Sequence, residues 1–386
     1  MSSAHSGRNP ATQTDEIRRA AGQKLLVGFS GSPVAAPTAI QSALHDGLGG
    51  IVLFSRNVSE INQFAALTTS VASGSASNQP PAFVAVDQEG GRVVRLRAPL
   101  SAIPPMREVG QMDDPEFTQA LSGVMARELK AVGVNLNFAP VIDVDTCSDN
   151  PVIGDRSFSS DPQKVARHGQ AFVSGHLQNG VLPCPKHFPG HGDTSTDSHL
   201  VLPTLMHDLK RLQDVELEPY RTLFQDDLPI LMTAHVLFER MDSEHPATLS
   251  RLFVHELLRN QLGYQGLVIT DCLEMKAVSA RYSIEEMIEL GLEAGVDIFL
   301  ISQTESTWNR AWEHMIRLSE QSQDIRNRIL SDASRIARCK KRYIPQRSAD
   351  PMNHSILGCE AHQSILKPLA RLGDRTTGLD PTERDG

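Results

Sequence analysis

The feature that most constrains this chain is a rhythm. Eight short runs rich in Val, Ile and Leu alternate with longer segments of helical pattern: Lys24–Phe29, Gly50–Phe54, Phe83–Asp87, Val134–Ala139, Val181–Lys186, Pro229–Thr233, Leu267–Asp271 and Val296–Ile301. Runs that are apolar throughout, rather than at every second residue, predict strands buried on both faces, the condition of a parallel sheet. The intervening segments carry explicit boundaries. Asp161 and Pro162 predict a helix start and Gly180 its end, with Val165, Phe172 and Leu177 recurring at helical spacing. Ser283 and Glu286 form an S-x-x-E capping box for a helix that runs to Gly295. Phe117, Leu121, Val124 and Val132 mark the face of another helix, on which Glu128 is the polar exception. Eight strands alternating with helices predict an α/β fold, a (β/α)8 barrel of the TIM type. A doubly wound open sheet is the alternative, but the turn Phe29-Ser30-Gly31-Ser32-Pro33 lacks the glycine pattern that would favour it.

The 386 residues allow two domains or one large barrel with extensions, at roughly 100–200 residues per domain. The rhythm favours the second. It predicts a flexible N-terminal lead over 1–19, a single catalytic barrel domain over 20–343, and a C-terminal tail over 344–386 with one potential short helix, Cys359–Lys367, ended by Pro368. A net charge of −9 argues against a broad surface for nucleic acid or anionic lipid. No run approaches the roughly 18 apolar residues of a membrane span, and the polar first residues hold no secretory h-region, so the expected compartment is the cytoplasm. Five dispersed cysteines without a C-x-x-C pair predict neither a disulfide framework nor a structural zinc site. Nothing in the sequence sets an oligomeric state.

In such a barrel the chemistry sits at the C-terminal ends of the strands, and the polar residues gather there. The third run leads into Asp87-Gln88-Glu89-Gly90-Gly91-Arg92, the fourth to Asp143, Asp145 and Asn150–Arg156, the sixth to His235 and the seventh to Asp271. Burying unpaired charge repeatedly at one end of a sheet is costly, so packing alone explains the pattern poorly. Ion pairs that merely tie loops together are the bland alternative. The densest stretch follows the fifth run: Lys186, His187, His191, Asp193, Asp197 and His199 fall within fourteen residues, with Gly190 and Gly192 expected to allow close approach of a ligand.

Three chemistries suit this stretch. His and Asp side chains could ligate a metal, although Pro189 and the glycines break the spacing of a metal-binding helix. Lys186 could form a Schiff base, although neighbouring anions would raise its pKa and keep it charged. Alternatively, Asp197, two residues from His199, could orient and charge the imidazole as a general acid/base beside a nucleophile from another strand. Asp271, emerging from Gly266–Thr270, is the natural nucleophile, and a helix N-cap is its other reading.

The stretch Lys186-His187-Phe188-Pro189-Gly190-His191-Gly192-Asp193-Thr194, followed by Asp197-Ser198-His199, resembles the signature of family 3 glycoside hydrolases of the β-N-acetylglucosaminidase type. Val86–Arg92, Val152–Phe158 and Thr270–Met275 resemble further motifs of that family, in family order, over about residues 20–343. The resemblance implies a retaining exo-β-N-acetylglucosaminidase working by double displacement. It implies Asp271 as nucleophile, His199 as an unusual general acid/base and Asp197 as its partner in a dyad. Asp87, Arg156, Lys186 and His187 match residues that hydrogen-bond the hydroxyls of the terminal sugar. Most glycosidases use two carboxylates, and this subgroup is an exception. The implied substrate is a small carbohydrate, an N-acetylglucosaminide such as a muropeptide fragment or a chitin-derived oligosaccharide, with no metal or organic cofactor and neither nucleic acid nor membrane as partner. Arg156 and Lys186 are expected to lend the mouth local positive charge. Phosphorolysis in place of hydrolysis, β-glucosidase or β-xylosidase specificity, and a non-catalytic sugar-binding barrel are the alternatives, the last disfavoured by the presence of both Asp271 and His199. Many relatives continue into a second α/β domain. Ile356–Gln363 looks like the start of that connection, but 344–386 is too short to form one.

Overall fold

Every one of the eight apolar runs contains a strand. The computed structural model describes residues 10–77, 79–196, 201–344, 353–371 and 380–383. Its strands are β1 (Leu25–Val27), β2 (Gly50–Leu53), β3 (Phe83–Val86), β4 (Leu136–Asn137), β5 (Leu182–Pro183), β6 (Ile230–Met232), β7 (Leu267–Cys272) and β8 (Ile298–Ile301). They pair in parallel in the order β5-β4-β3-β2-β1-β8-β7-β6. The two ends of that order meet just past β5, where the Phe188 N–H donates to the Met232 carbonyl (2.8 Å) and the Met232 N–H to the Pro185 carbonyl (3.0 Å). The sheet thus closes into a (β/α)8 barrel, as the rhythm predicts. A further parallel pair, Thr204–Leu205 with Leu237–Phe238, stands outside it; two residues a side are too few to leave a period in the sequence.

Alternation along each strand divides the apolar residues between two cores. Leu26, Val52, Phe83, Ala85, Leu136, Leu182, Ile230, Ile269 and Leu300 fill the barrel interior. Their strand neighbours Leu25, Val27, Ile51, Leu53, Val84, Val86, Leu231 and Val268 face the surrounding helices. This parity positions the site. Asp87 continues the inward set of Phe83 and Ala85, Lys186 that of Leu182 and Cys184, and Asp271 that of Leu267 and Ile269, so all three turn toward the mouth.

The helices follow their sequence signals. Helix α1 (Pro10–Gln23) replaces the flexible lead predicted over 1–19 in its part from residue 10, the first nine residues lying outside the described ones: Ile17, Ala20 and Ala21, at helical spacing, are buried in the outer core. Asp114 caps α2 (Pro115–Ala131), and Asp161 caps α3 (Pro162–Gln178) by accepting from the Gln163 and Lys164 N–H groups. The capping box of α4 (Ile284–Ala294) is formed by Ser283 and Glu286, and Gly295 ends that helix at φ 99°. Helix α5 (Gln323–Tyr343) lies across the N-terminal end of the barrel, where Ile336 and Ile344 join the interior core. There Lys24 Nζ pairs with Asp332 (2.5 Å), while Lys340 Nζ donates to the Gln23 side chain (2.8 Å) and the Gly49 carbonyl (2.6 Å).

Glu128, the polar exception on α2, receives the tail. Its carboxylate accepts from the Gly358 N–H (2.9 Å) and His362 Nδ1 (2.8 Å) as well as from the Ser101 N–H (2.7 Å) and hydroxyl (2.8 Å). His362 sits on α6 (Glu360–Leu366), and Leu357 and Leu366 are buried against the barrel. No helix among the described residues is long and apolar enough to cross a membrane.

Candidate active site

At the C-terminal end of the barrel an open cavity of about 320 Å³ is lined by Asp87, Arg156, Lys186, His187 and Asp271. These five come from the loops and ends of strands β3, β4, β5 and β7, so residues spread over 184 positions of sequence converge on one hollow. In the sheet order β3 and β7 are four steps apart in a ring of eight, which sets Asp87 and Asp271 on opposite sides of the mouth. Asp197 and His199 lie outside the described residues.

A buried ionic lattice supports one side. Glu89 accepts from Arg156 Nε and Nη2, both at 2.8 Å, in a bidentate pair, and Lys186 Nζ stands 2.7 Å from Glu89 and 2.7 Å from Asp87. Burial alone would push the Glu89 carboxyl up, but the Arg156 and Lys186 charges outweigh it and hold it well below the usual carboxylate range. Burial alone would likewise favour a neutral Lys186, but Asp87 and Glu89 reverse this and raise its pKa. A charged ammonium cannot attack a carbonyl, so the Schiff-base reading falls. The expected patch of positive charge is also corrected. Both cations are neutralised by carboxylates within hydrogen-bond distance, so Arg156 and Lys186 do not supply unpaired positive charge there.

On the adjoining side Asp143 fixes a histidine. Its Oδ2 lies 2.7 Å from His187 Nδ1, and its Oδ1 accepts from the backbone N–H groups of His187 (3.2 Å) and His191 (2.8 Å). Burial opposes ionisation of Asp143, yet the His187 and His191 interactions prevail and its pKa is lowered. Burial pushes His191 down to about 4, leaving that ring neutral. With Asp143 holding Nδ1, His187 directs its other nitrogen toward the cavity it lines. Asp143→Asn is expected to lower kcat/KM by about 10²-fold, the scale of a misplacement of about 1 Å. Steady-state kinetics check this, and an unchanged kcat/KM would remove Asp143 from the site.

Asp271 is not a helix cap. The helix that follows begins at Lys276, with Met275 before it, and Asp271 Oδ1 accepts instead from the Cys272 N–H (2.7 Å). His235 Nε2 donates to the Cys272 carbonyl (2.9 Å), clamping the peptide beside the carboxylate. Burial would raise the Asp271 pKa, but His235, His187, the Cys272 N–H and Lys186 together lower it. The result is a desolvated, ionised carboxylate facing a polar hollow.

The glycosyl hydrolase family 3 N-terminal domain matches residues 23–339 of this chain. The chain belongs to glycosyl hydrolase family 3. The β-hexosaminidase A of Pseudoalteromonas piscicida is 33% identical over 390 residues, an alignment covering 90% of this chain and 65% of that protein. The chain therefore spans just under two thirds of that relative's length. The β-hexosaminidase of Neisseria meningitidis serogroup B is 37% identical over 268 residues, covering 68% of this chain and 73% of its own. A solved family 3 β-N-acetylglucosaminidase from a Paenibacillus species superposes with a TM-score of 0.83 at 33% identity, covering 92% of this chain and 68% of that one.

Within this family 3 barrel the signature glycines are required by packing. A Cβ on Gly192 would lie 1.9 Å from the Val144 carbonyl oxygen, and one on Gly190 would meet Glu216, so the loop after β5 can lie flat on its neighbours only with glycine there. From the sequence, Glu89, Asp143 and His235 were placed at strand ends without a role, and Arg95 was not singled out. Glu89 and Asp143 sit inside or next to the family motifs, and their acidity at a strand end was the available signal. His235 was marked by its place at the end of the sixth run. Nothing local distinguishes Arg95, whose side chain is fully buried against Asp87 (3.2 Å).

Proposed function

We propose that this family 3 chain is a retaining exo-β-N-acetylglucosaminidase. The observation that carries the reading is Asp271: a buried carboxylate kept ionised, opposite Asp87 across a sugar-sized hollow lined by Arg156, Lys186 and His187. In the first step an Asp271 oxygen attacks the anomeric carbon as the bond to the leaving oxygen breaks, and protonated His199 delivers its proton to that oxygen. In the second step neutral His199 takes a proton from water, whose oxygen displaces Asp271 and releases the sugar with its original configuration. Asp197 orients and charges His199. Asp87, Lys186, Arg156 and His187 bind the sugar hydroxyls.

Two features support an acid drawn from the Asp197–His199 segment. Asp87 is engaged by Lys186 and Arg95, and Glu274, also on the cavity wall, accepts from the Gln303 (2.7 Å) and Thr304 (3.0 Å) N–H groups. Both carboxylates are thus already committed to donors within the protein. His199→Ala is expected to slow turnover of a substrate with a poor leaving group by about 10²–10⁴-fold and to spare an activated aryl glycoside. Equal loss on both would contradict the acid role. The favoured natural substrates are muropeptide fragments, with chitin-derived oligosaccharides next, in the cytoplasm; the five cysteines, all free thiols, are compatible with a reducing compartment. Release of nitrophenol from the N-acetylglucosaminide but not from the matching glucoside, without dependence on phosphate, is the expected result. No release from the first would overturn the reading.

A further inference from the structure

Beyond α6, Asp380–Thr382 stands at the barrel mouth. Asp380 Oδ2 pairs with Arg95 Nη1 (2.5 Å), and Arg95 Nη2 donates to the Thr382 hydroxyl. The same guanidinium contacts Asp87 Oδ2 (3.2 Å) and lies over the Phe54 ring, 5.3 Å from its centroid. A local turn stiffens the segment: Asp380 Oδ1 accepts from both the Thr382 N–H (2.8 Å) and its hydroxyl (2.6 Å), and Pro381 between them is buried. Thr382 lines the same cavity as Asp87 and Asp271.

We infer that Asp380–Thr382 forms the far wall of the sugar site and that Thr382 is a specificity-determining residue, restricting the site to a chain-terminal sugar whose distal hydroxyls are free. The inference rests on the activity proposed above. Asp271 must meet the anomeric carbon, and Asp87 stands across the barrel from it, so the Arg95-anchored segment beside Asp87 borders the end of the sugar remote from the reacting bond. The cavity stays open with the segment in place, which makes it a wall and not a plug. Its chemistry suits that end. The Thr382 hydroxyl spends its proton on Asp380 and one acceptor position on Arg95, leaving one acceptor position for a substrate O–H. Asp87 is an acceptor too. A hydroxyl that already carries another sugar has no proton to give either group, and its substituent would run into Thr382.

The test compares the nitrophenyl glycosides of N-acetylglucosamine and of its β-1,4-linked disaccharide, with early products identified by mass spectrometry. The wild type is expected to remove one sugar at a time. Asp380→Ala/Thr382→Gly is expected to release intact disaccharide at least about tenfold faster than wild type and to raise KM for the monosaccharide substrate roughly three- to tenfold, the worth of one hydrogen bond, with a smaller change in kcat. Thr382→Ser, which keeps the hydroxyl, is expected to hold disaccharide release at the wild-type level. An unchanged product pattern and KM in the double variant would overturn the inference. Thermal unfolding verifies that this variant folds; if it does not, Thr382→Val, which removes the hydroxyl at similar volume, must raise KM or the inference falls. A wild type inactive on both substrates would refute the proposed activity instead. The wall is then read by calorimetry, as the preference for N-acetylglucosamine over the disaccharide, which the double variant should narrow.

Discussion

Asp271→Ala is expected to lower kcat/KM on an N-acetylglucosaminide by at least about 10⁴-fold, the scale on which loss of a covalent nucleophile is felt. The side chain accepts one backbone hydrogen bond, from Cys272, and its pKa is lowered by surrounding cationic and dipolar groups. Those groups stay in place when the carboxylate is removed, so the pocket should keep its shape. Azide, small enough for the vacated space, should restore part of the rate and give a glycosyl azide of configuration opposite to the normal product. Trapping with a 2-fluoro sugar should attach the label to Asp271 in the wild type. A label on another residue, or activity within tenfold of wild type in the variant, would remove Asp271 from the mechanism.

The second large effect concerns stability. Glu89→Gln keeps the volume but strips the charge that Arg156 and Lys186 share. Lys186 retains Asp87; Arg156 retains the Val152 carbonyl and, among the described residues, no carboxylate within hydrogen-bond distance. Leaving a buried cation without its partner costs about 3–5 kcal/mol, a large share of the 5–15 kcal/mol that stabilises typical proteins. Urea denaturation should show the midpoint falling accordingly, and a midpoint equal to wild type would contradict the lattice. The same group sets an acid limit. Glu89, Asp143 and Asp271 have lowered pKa values in the fold, so near and below about pH 4 these three groups bind more protons in the unfolded chain than in the native state. The stability these carboxylates supply is complete above their unfolded pKa values and is lost progressively as pH falls through the folded ones. Glu89→Gln should therefore show a shallower fall in stability on acidification.

Much of the fold was legible because a two-sided strand writes an unbroken apolar run. All eight runs were readable, and so was the gathering of Asp87, Lys186 and Asp271 at the strand ends; which face of each strand turns inward was not, because both faces are apolar. What stayed hidden were partnerships across the chain. Glu89 and Arg156 are 67 residues apart, Asp143 and His187 are 44, and Arg95 and Asp380 are 285; no local pattern announces such pairs. Glu128 was noticed as a misfit on an apolar face, yet its reason, the tail at Gly358 and His362, lies more than 200 positions on. The helix over residues 10–19 was hidden because that stretch is mostly polar, and its buried Ile17 meets Ala20 and Ala21 at helical spacing only across the boundary drawn at residue 20.

Barrel closure has a kinetic consequence. Strand β1 pairs with β8, Leu25 opposite Phe299, and α5 seals the base only with residues up to 343. A nascent chain emerging from the ribosome thus carries a first strand paired on its β2 side alone, with its other edge open until nearly the whole barrel has been made. Contacts of such sequence separation form slowly and leave sheet edges exposed meanwhile. Chains arrested before about residue 300 should be sticky and protease-sensitive, because the site and the ring that holds it are completed by the same late event.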